Sequence, residues 1–186
     1  MLRVLPQTHD WRLSYRIAGI AIFTALTVIC AKVTIPLQPV PFTMQTFAVL
    51  LAGMILGGRD GAISQIVYVA LIAVGLPLDA FGMGSVALLG PTGGYLIGFI
   101  PAAFVTGLLV ERAGNRLWQR WLAGIVGAAI IHLFGLPVLS LVKTFDLGIA
   151  WNFGTAPFIV PDVTKALLAA GLAEGERRLL MRDKQR

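Results

Sequence analysis

Asp162 and Lys165, three residues apart in the run Pro161-Asp162-Val163-Thr164-Lys165, are the pair best placed to do chemistry in this sequence. On a helix that spacing puts both side chains on one face. The proline suits the first helical position and the acid suits the positive end of the helix dipole. Side by side they offer one acceptor and one cationic donor, a polar floor for a small ligand. The plainer reading is an ion pair confined to the helix, with Lys165 reaching along its stem to an interface. An ionisable group inside a membrane span costs at least about 2.5–3.5 kcal/mol, so it needs a partner or a polar cavity. The ligand reading is the one adopted.

Other polar and aromatic residues fall in segments that could close over such a floor. Phe42, Thr43 and Gln45 lie in one loop, and Trp151, Asn152 and Phe153 in another. Gly90-Pro91-Thr92-Gly93-Gly94-Tyr95 reads as a turn leading into a helix N-terminus, whose first N–H groups can meet an anion or a carbonyl. Aromatics in such places also serve as interfacial anchors, Tyr95 included. His132 stands alone within an apolar run and reads as a hydrogen-bonded packing residue, with a proton relay as its other role. Cys30, the single cysteine, reads as a packing residue.

Several chemistries are excluded. There is no Gly-x-x-x-x-Gly-Lys-Ser/Thr loop, so nucleotide hydrolysis would have to come from another chain. There is no Gly-x-Ser-x-Gly elbow, and His9, His132 and Cys30 are too far apart in the sequence to suggest a metal cluster. The chain is therefore expected to be neither an enzyme nor a metalloprotein, and to need no cofactor.

The elements that must position these residues are membrane helices. Of the 186 residues 57% are hydrophobic and 13% charged, where a soluble domain carries roughly 25% charged residues. A soluble globule of this size could not hide so much apolar surface. Six apolar segments are expected to cross the bilayer: 15–33, 45–56, 62–74, 93–109, 122–142 and 161–172. The second and third span under about 25 Å as ideal helices, so they either extend into flanking residues or thin the bilayer, and they suit a protein whose outer half is built partly from loops. The loops 34–44, 75–92 and 143–156 are long and rich in Pro, Gly and aromatics, which suggests a lidded pocket on that side.

The charge of +6 is segregated. Arg3, Arg12 and Arg16, then Arg59, then Arg112, Arg116 and Arg120, then Arg177, Arg178, Arg182, Lys184 and Arg186 mark alternate ends of the segments. That pattern places both termini in the cytoplasm, with anionic lipids rather than nucleic acid as the partner of the charge. One membrane domain, 1–186, is expected, with a cytoplasmic segment 1–12 and a basic cytoplasmic tail 176–186. Ala18, Ala21 and Ala25 make a small-residue face on the first helix, where another helix can approach closely.

Taken together, Pro39-Val40-Pro41-Phe42-Thr43-Met44-Gln45, Gly75-Leu76-Pro77, Gly90 to Tyr95 and Asp162-x-x-Lys165 make the chain resemble the BioY family along nearly its whole length. These are the biotin-specific S components of energy-coupling-factor (ECF) transporters. The resemblance implies a six-helix S-component fold in a prokaryotic inner membrane that captures biotin from outside. It implies substrate contacts among Asp162, Lys165, Gln45, Thr43, Phe42, Tyr95 and Asn152. It implies partners too: a transmembrane coupling protein docked on Ala21 and Ala25, two ATPase subunits, and in some relatives a homo-oligomer. An S component for another vitamin, or a biotin carrier that works without ATPases, is the alternative. Three departures stand out: Val160-Pro161-Asp162 replaces Pro-Gly-Asp, Asp79 replaces an apolar or aromatic residue, and an arginine sometimes found before Gly90 is missing.

Overall fold

A computed structural model describes residues 12–112, 116–144 and 146–183. His9, most of the segment 1–12 and the last residues of the basic tail lie outside the described residues. In chain order the elements are α1 (Leu13–Lys32), β1 (Thr34–Ile35), β2 (Phe42–Thr43), α2 (Gln45–Ala73), α3 (Ser85–Leu89), α4 (Gly93–Arg112), α5 (Leu117–Leu139), α6 (Leu147–Gly154) and α7 (Ile159–Asp183). A π-helical stretch, Ser140–Thr144, prolongs α5, and a 3-10 turn, Ala156–Phe158, leads into α7. The fold is helical, as expected, apart from the ribbon in which Thr34 pairs with Thr43 and Ile35 with Phe42.

Among the described residues five helical stretches are long and apolar enough to cross a membrane. The second of them supplies two crossings, because α2 doubles back at Gly57, whose φ of 82° and ψ of 174° only glycine adopts without strain. Along a straight helix Gly53 and Gly61 would be about 12 Å apart. Here a Cβ on Gly61 would come within 2.9 Å of the Gly53 Cα. The expected segments 45–56 and 62–74 are thus the arms of one tight hairpin. One glycine makes the turn between them, and Asp60 just after it is buried.

The hairpin packs on α1, α4 and α7, while α5 packs between α4 and α7. Glycines set the closeness of the α2–α4 contact. A Cβ on Gly107 would lie 2.5 Å from the Gly58 Cα, and one on Gly53 would lie 3.1 Å from the Gly107 nitrogen. On α7, Ala166, Ala169, Ala170 and Ala173 form a buried stripe at helical spacing, packed with Leu50 and Met54 of the hairpin.

Polar bonds close both ends. At the arginine-bearing end Arg16 donates to both carboxylate oxygens of Asp60 (2.8 and 2.6 Å). Glu111 accepts from the Gly58 amide at 2.8 Å, and Arg120 pairs with Glu174, which also binds Arg177 and Arg178. Every described arginine sits at this end, on the N-terminal turns of α1 and α5, the α2 hairpin turn, or the C-terminal turns of α4 and α7.

At the opposite end Asp79 organises the 74–92 connection. Its carboxylate accepts from the amides of Phe81 (3.1 Å) and Gly84 (2.8 Å), while Lys32 donates to the carbonyls of Pro77 and Asp79. Asp79→Ala should therefore strand two amides and lower the melting temperature. A cost of about 1–3 kcal/mol is expected, read by thermal unfolding in detergent beside the wild type.

Candidate substrate-binding site

α7 opens just after the 3-10 turn, so Asp162 and Lys165 occupy its first turns at the end away from the arginines. Pro161 costs nothing there, because the first helical amides have no partner within the helix. Both side chains are buried, 5% and 4% exposed. Lys165 Nζ donates to Asp162 Oδ1 at 2.9 Å, as the i,i+3 spacing leads one to expect. The other oxygen, Oδ2, lies 2.9 Å from Nε2 of His132, brought in from α5. Such a buried carboxylate is held only because each of its oxygens has a donor.

An aromatic wall surrounds the three. The Lys165 ammonium lies 4.2 Å from the centre of the Phe42 ring, a cation–π contact, and Phe42 stacks on Phe158 at 6.4 Å. The Tyr95 ring meets His132 edge-on at 5.7 Å, and its hydroxyl donates to the Gly154 carbonyl at 2.9 Å. Gly135 makes room for this ring: any Cβ there would run into it. Behind the ribbon, Thr43 donates to Gln45 Oε1 (3.1 Å), Gln45 donates to the Tyr68 hydroxyl (2.7 Å), and Tyr68 donates to the Leu78 carbonyl (3.2 Å). This chain of bonds ties the first outer connection to the second.

Asp162, Lys165, His132, Tyr95, Gln45 and Thr43 line one cavity of about 480 Å³, counting its open mouth. On the far side of Asp162 and His132 an almost wholly apolar groove opens between α5, α6 and α7, beside the exposed Leu133 and Trp151. The two polar side chains thus stand between a polar chamber and the hydrocarbon-facing flank.

The sequence model of the BioY family matches residues 6–182. The chain belongs to this family. Among similar proteins, the biotin transporter BioY of Thermotoga maritima is 46% identical over 153 residues, covering 82% of this chain and 89% of that protein. The probable biotin transporter BioY of Pyrococcus horikoshii is 40% identical over 156 residues, covering 83% of this chain and 91% of its own. Among solved structures, the S component for biotin from an ECF-type ABC transporter superposes with a TM-score of 0.82 at 26% identity. It covers 89% of this chain and 92% of that one. The bundle therefore has the BioY S-component fold, and the chain is a multi-pass membrane protein.

Of the residues singled out in the sequence, the fold gathers Asp162, Lys165, Gln45, Thr43 and Tyr95 in one cavity, with Phe42 against Lys165. Asn152 is not among them. On α6 the buried face carries Ala150 and Gly154, so Asn152, midway between them, turns outward and is exposed. Trp151 and Phe153 flank it and are exposed as well. His132 is hydrogen-bonded, as read, yet its partner is the site carboxylate rather than a packing neighbour. Phe158 also went unread in the sequence. The only local signal for His132 was an ionisable residue inside an apolar span, since Asp162 is 30 positions away.

Ala18, Ala21 and Ala25 are exposed along the face of α1 turned away from α2. Ile17, Ile22 and Ile29 are exposed on the same helix, 58%, 63% and 61%. Among the described residues no group of three His, Cys, Asp or Glu side chains could hold a metal.

Proposed function

We infer that this chain captures biotin at the membrane face opposite the arginines and takes part in its uptake. The observation that carries this is its membership of the BioY family over residues 6–182, with a buried acid–amine–imidazole cluster in the wall of a cavity. The chemistry suits the ligand. Biotin presents two ureido N–H donors beside a carbonyl, an apolar thiophane ring and a carboxylate tail. Asp162 accepts from a ureido N–H, and Lys165 donates to the carbonyl or to the tail; charge-assisted bonds in a dry site are the strong kind. Phe42, Tyr95 and Phe158 cover the thioether ring, while Gln45 and Thr43 hold the ribbon that closes the mouth.

The arginine-rich end faces the cytoplasm and its anionic lipids. A transmembrane coupling protein docks on Ala18, Ala21 and Ala25, whose small side chains let a partner helix approach closely. Two ATPase subunits attached to it supply the energy for release. The chain itself is a transport component rather than an enzyme.

Uptake of radiolabelled biotin by an auxotrophic cell tests this reading. Expression with the coupling protein and ATPases should give saturable uptake, and omission of the ATPases should abolish it. Full uptake by the chain alone would identify a self-sufficient carrier. No uptake under either condition would contradict a role in biotin transport.

A further inference from the structure

Biotin enters as an anion, and the site has no spare positive charge to meet it. Lys165 is already balanced by Asp162 at 2.9 Å, so the pair is neutral before the ligand arrives. Among the described residues the other lysines of this end are Lys32 and Lys143. The Lys32 ammonium is engaged by the carbonyls of Pro77 and Asp79, and Lys143 is exposed. All described arginines lie at the opposite end. A carboxylate buried beside a neutral pair carries a large desolvation cost with no opposite charge to offset it.

His132 is the remaining base in the cavity wall. Its Nε2 is fixed on Asp162 at 2.9 Å, and its Nδ1 is buried with no hydrogen-bond partner. A proton on the imidazole gives it a donor at both nitrogens and one positive charge. The groups packed around it allow this. Asp162 and Lys165 face it from α7, and Tyr95 meets it edge-on from α4. From the 3-10 turn before α7 it meets Phe158, which carries no charge.

We propose that His132 is the counter-ion of the captured carboxylate: the imidazole takes up a proton as biotin enters, so the vitamin is bound together with one proton. Asp162, Lys165, protonated His132 and the biotin carboxylate then sum to zero charge. This rests on the biotin reading above. The consequence for specificity is that anionic ligands gain from His132 and uncharged analogues do not. The sign of the pH dependence follows from mass action. Because the complex holds one more proton than its parts, affinity rises as pH falls, by up to about tenfold per pH unit.

Calorimetric titration of the full chain in nanodiscs, in phosphate and in Tris at the same pH, counts the protons. The two buffers differ in ionisation heat, so the difference in binding enthalpy gives the number taken up. Wild type with biotin should take up close to one proton. Wild type with biotin methyl ester, and His132→Gln with biotin, should take up none. Lys32→Met should behave as wild type. His132→Gln should bind biotin with a pH-independent affinity. Tight biotin binding by the wild type with no proton uptake would overturn the proposal and leave the biotin reading intact. So would an unchanged proton count in His132→Gln, or a count lost in Lys32→Met. Absence of binding by the wild type in every buffer would instead bring down the biotin reading, and the proposal with it.

Discussion

Asp162→Asn should weaken biotin binding by about 2–5 kcal/mol, roughly 30- to 5,000-fold, and Lys165→Met by a similar amount. That is the usual cost of removing one member of a buried, hydrogen-bonded charge pair. The cause is what remains behind. With the charge at position 162 gone, the Lys165 ammonium, 4% exposed, keeps a neutral amide oxygen and the face of Phe42 but no counter-charge. With Lys165 gone, Asp162 retains His132 alone. The double variant should therefore lose less than the sum of the two single losses, because it leaves neither charge stranded. Equilibrium binding of labelled biotin to the four proteins checks this, and strictly additive losses would show that the two side chains act independently.

Gly107→Val should be strongly destabilising to the fold. The position faces the α2 turn at backbone distance: an added Cβ would meet the Gly57 carbonyl carbon and the Gly58 Cα, each at 2.5 Å. Backbone atoms cannot rotate aside as a side chain can. The hairpin and α4 would have to separate, carrying with them the Gly58 amide that bonds Glu111. A loss of at least about 3 kcal/mol is expected, the upper end of the overpacking range. It should be read as a fall in monodisperse yield and melting temperature. Gly171→Ala, where a Cβ meets nothing within 4 Å, is the control and should be neutral or stabilising. Equal behaviour of the two variants would refute a close-packed glycine contact.

These two sites also show what could be read from the sequence and what could not. Membrane helices are legible because lipid permits an unbroken apolar run, so five of the six expected segments begin and end near the observed helices. The last is the exception in length, running to Asp183, because the charged residues after Leu172 remain helical as Glu174 gathers Arg120, Arg177 and Arg178. The joint between the second and third segments escaped, since nothing in Gly57-Gly58-Arg59-Asp60 says that one left-handed glycine suffices.

The candidate site divides in the same way. Asp162 and Lys165 are legible because their pairing is local, three residues along one helix. Thr43 and Gln45 are likewise two apart. His132 reads as a packing residue because it meets Asp162 only through the packing of α5 against α7, and Phe158 has no local signal because its partners, Phe42 and His132, come from distant segments. Asn152 was drawn in by its place in an outer loop, but α6 is helical there and the helix phase turns it outward. Composition marks a segment as near the site; only the phase of its backbone decides which side chains enter.

The most direct measurement is saturation binding of labelled biotin to the wild-type chain in nanodiscs, competed with unlabelled biotin, thiamin and riboflavin. The account predicts one saturable site per chain, displaced by biotin and by neither of the other vitamins. Absence of saturable binding, or equal displacement by all three, would contradict the capture of biotin by this chain.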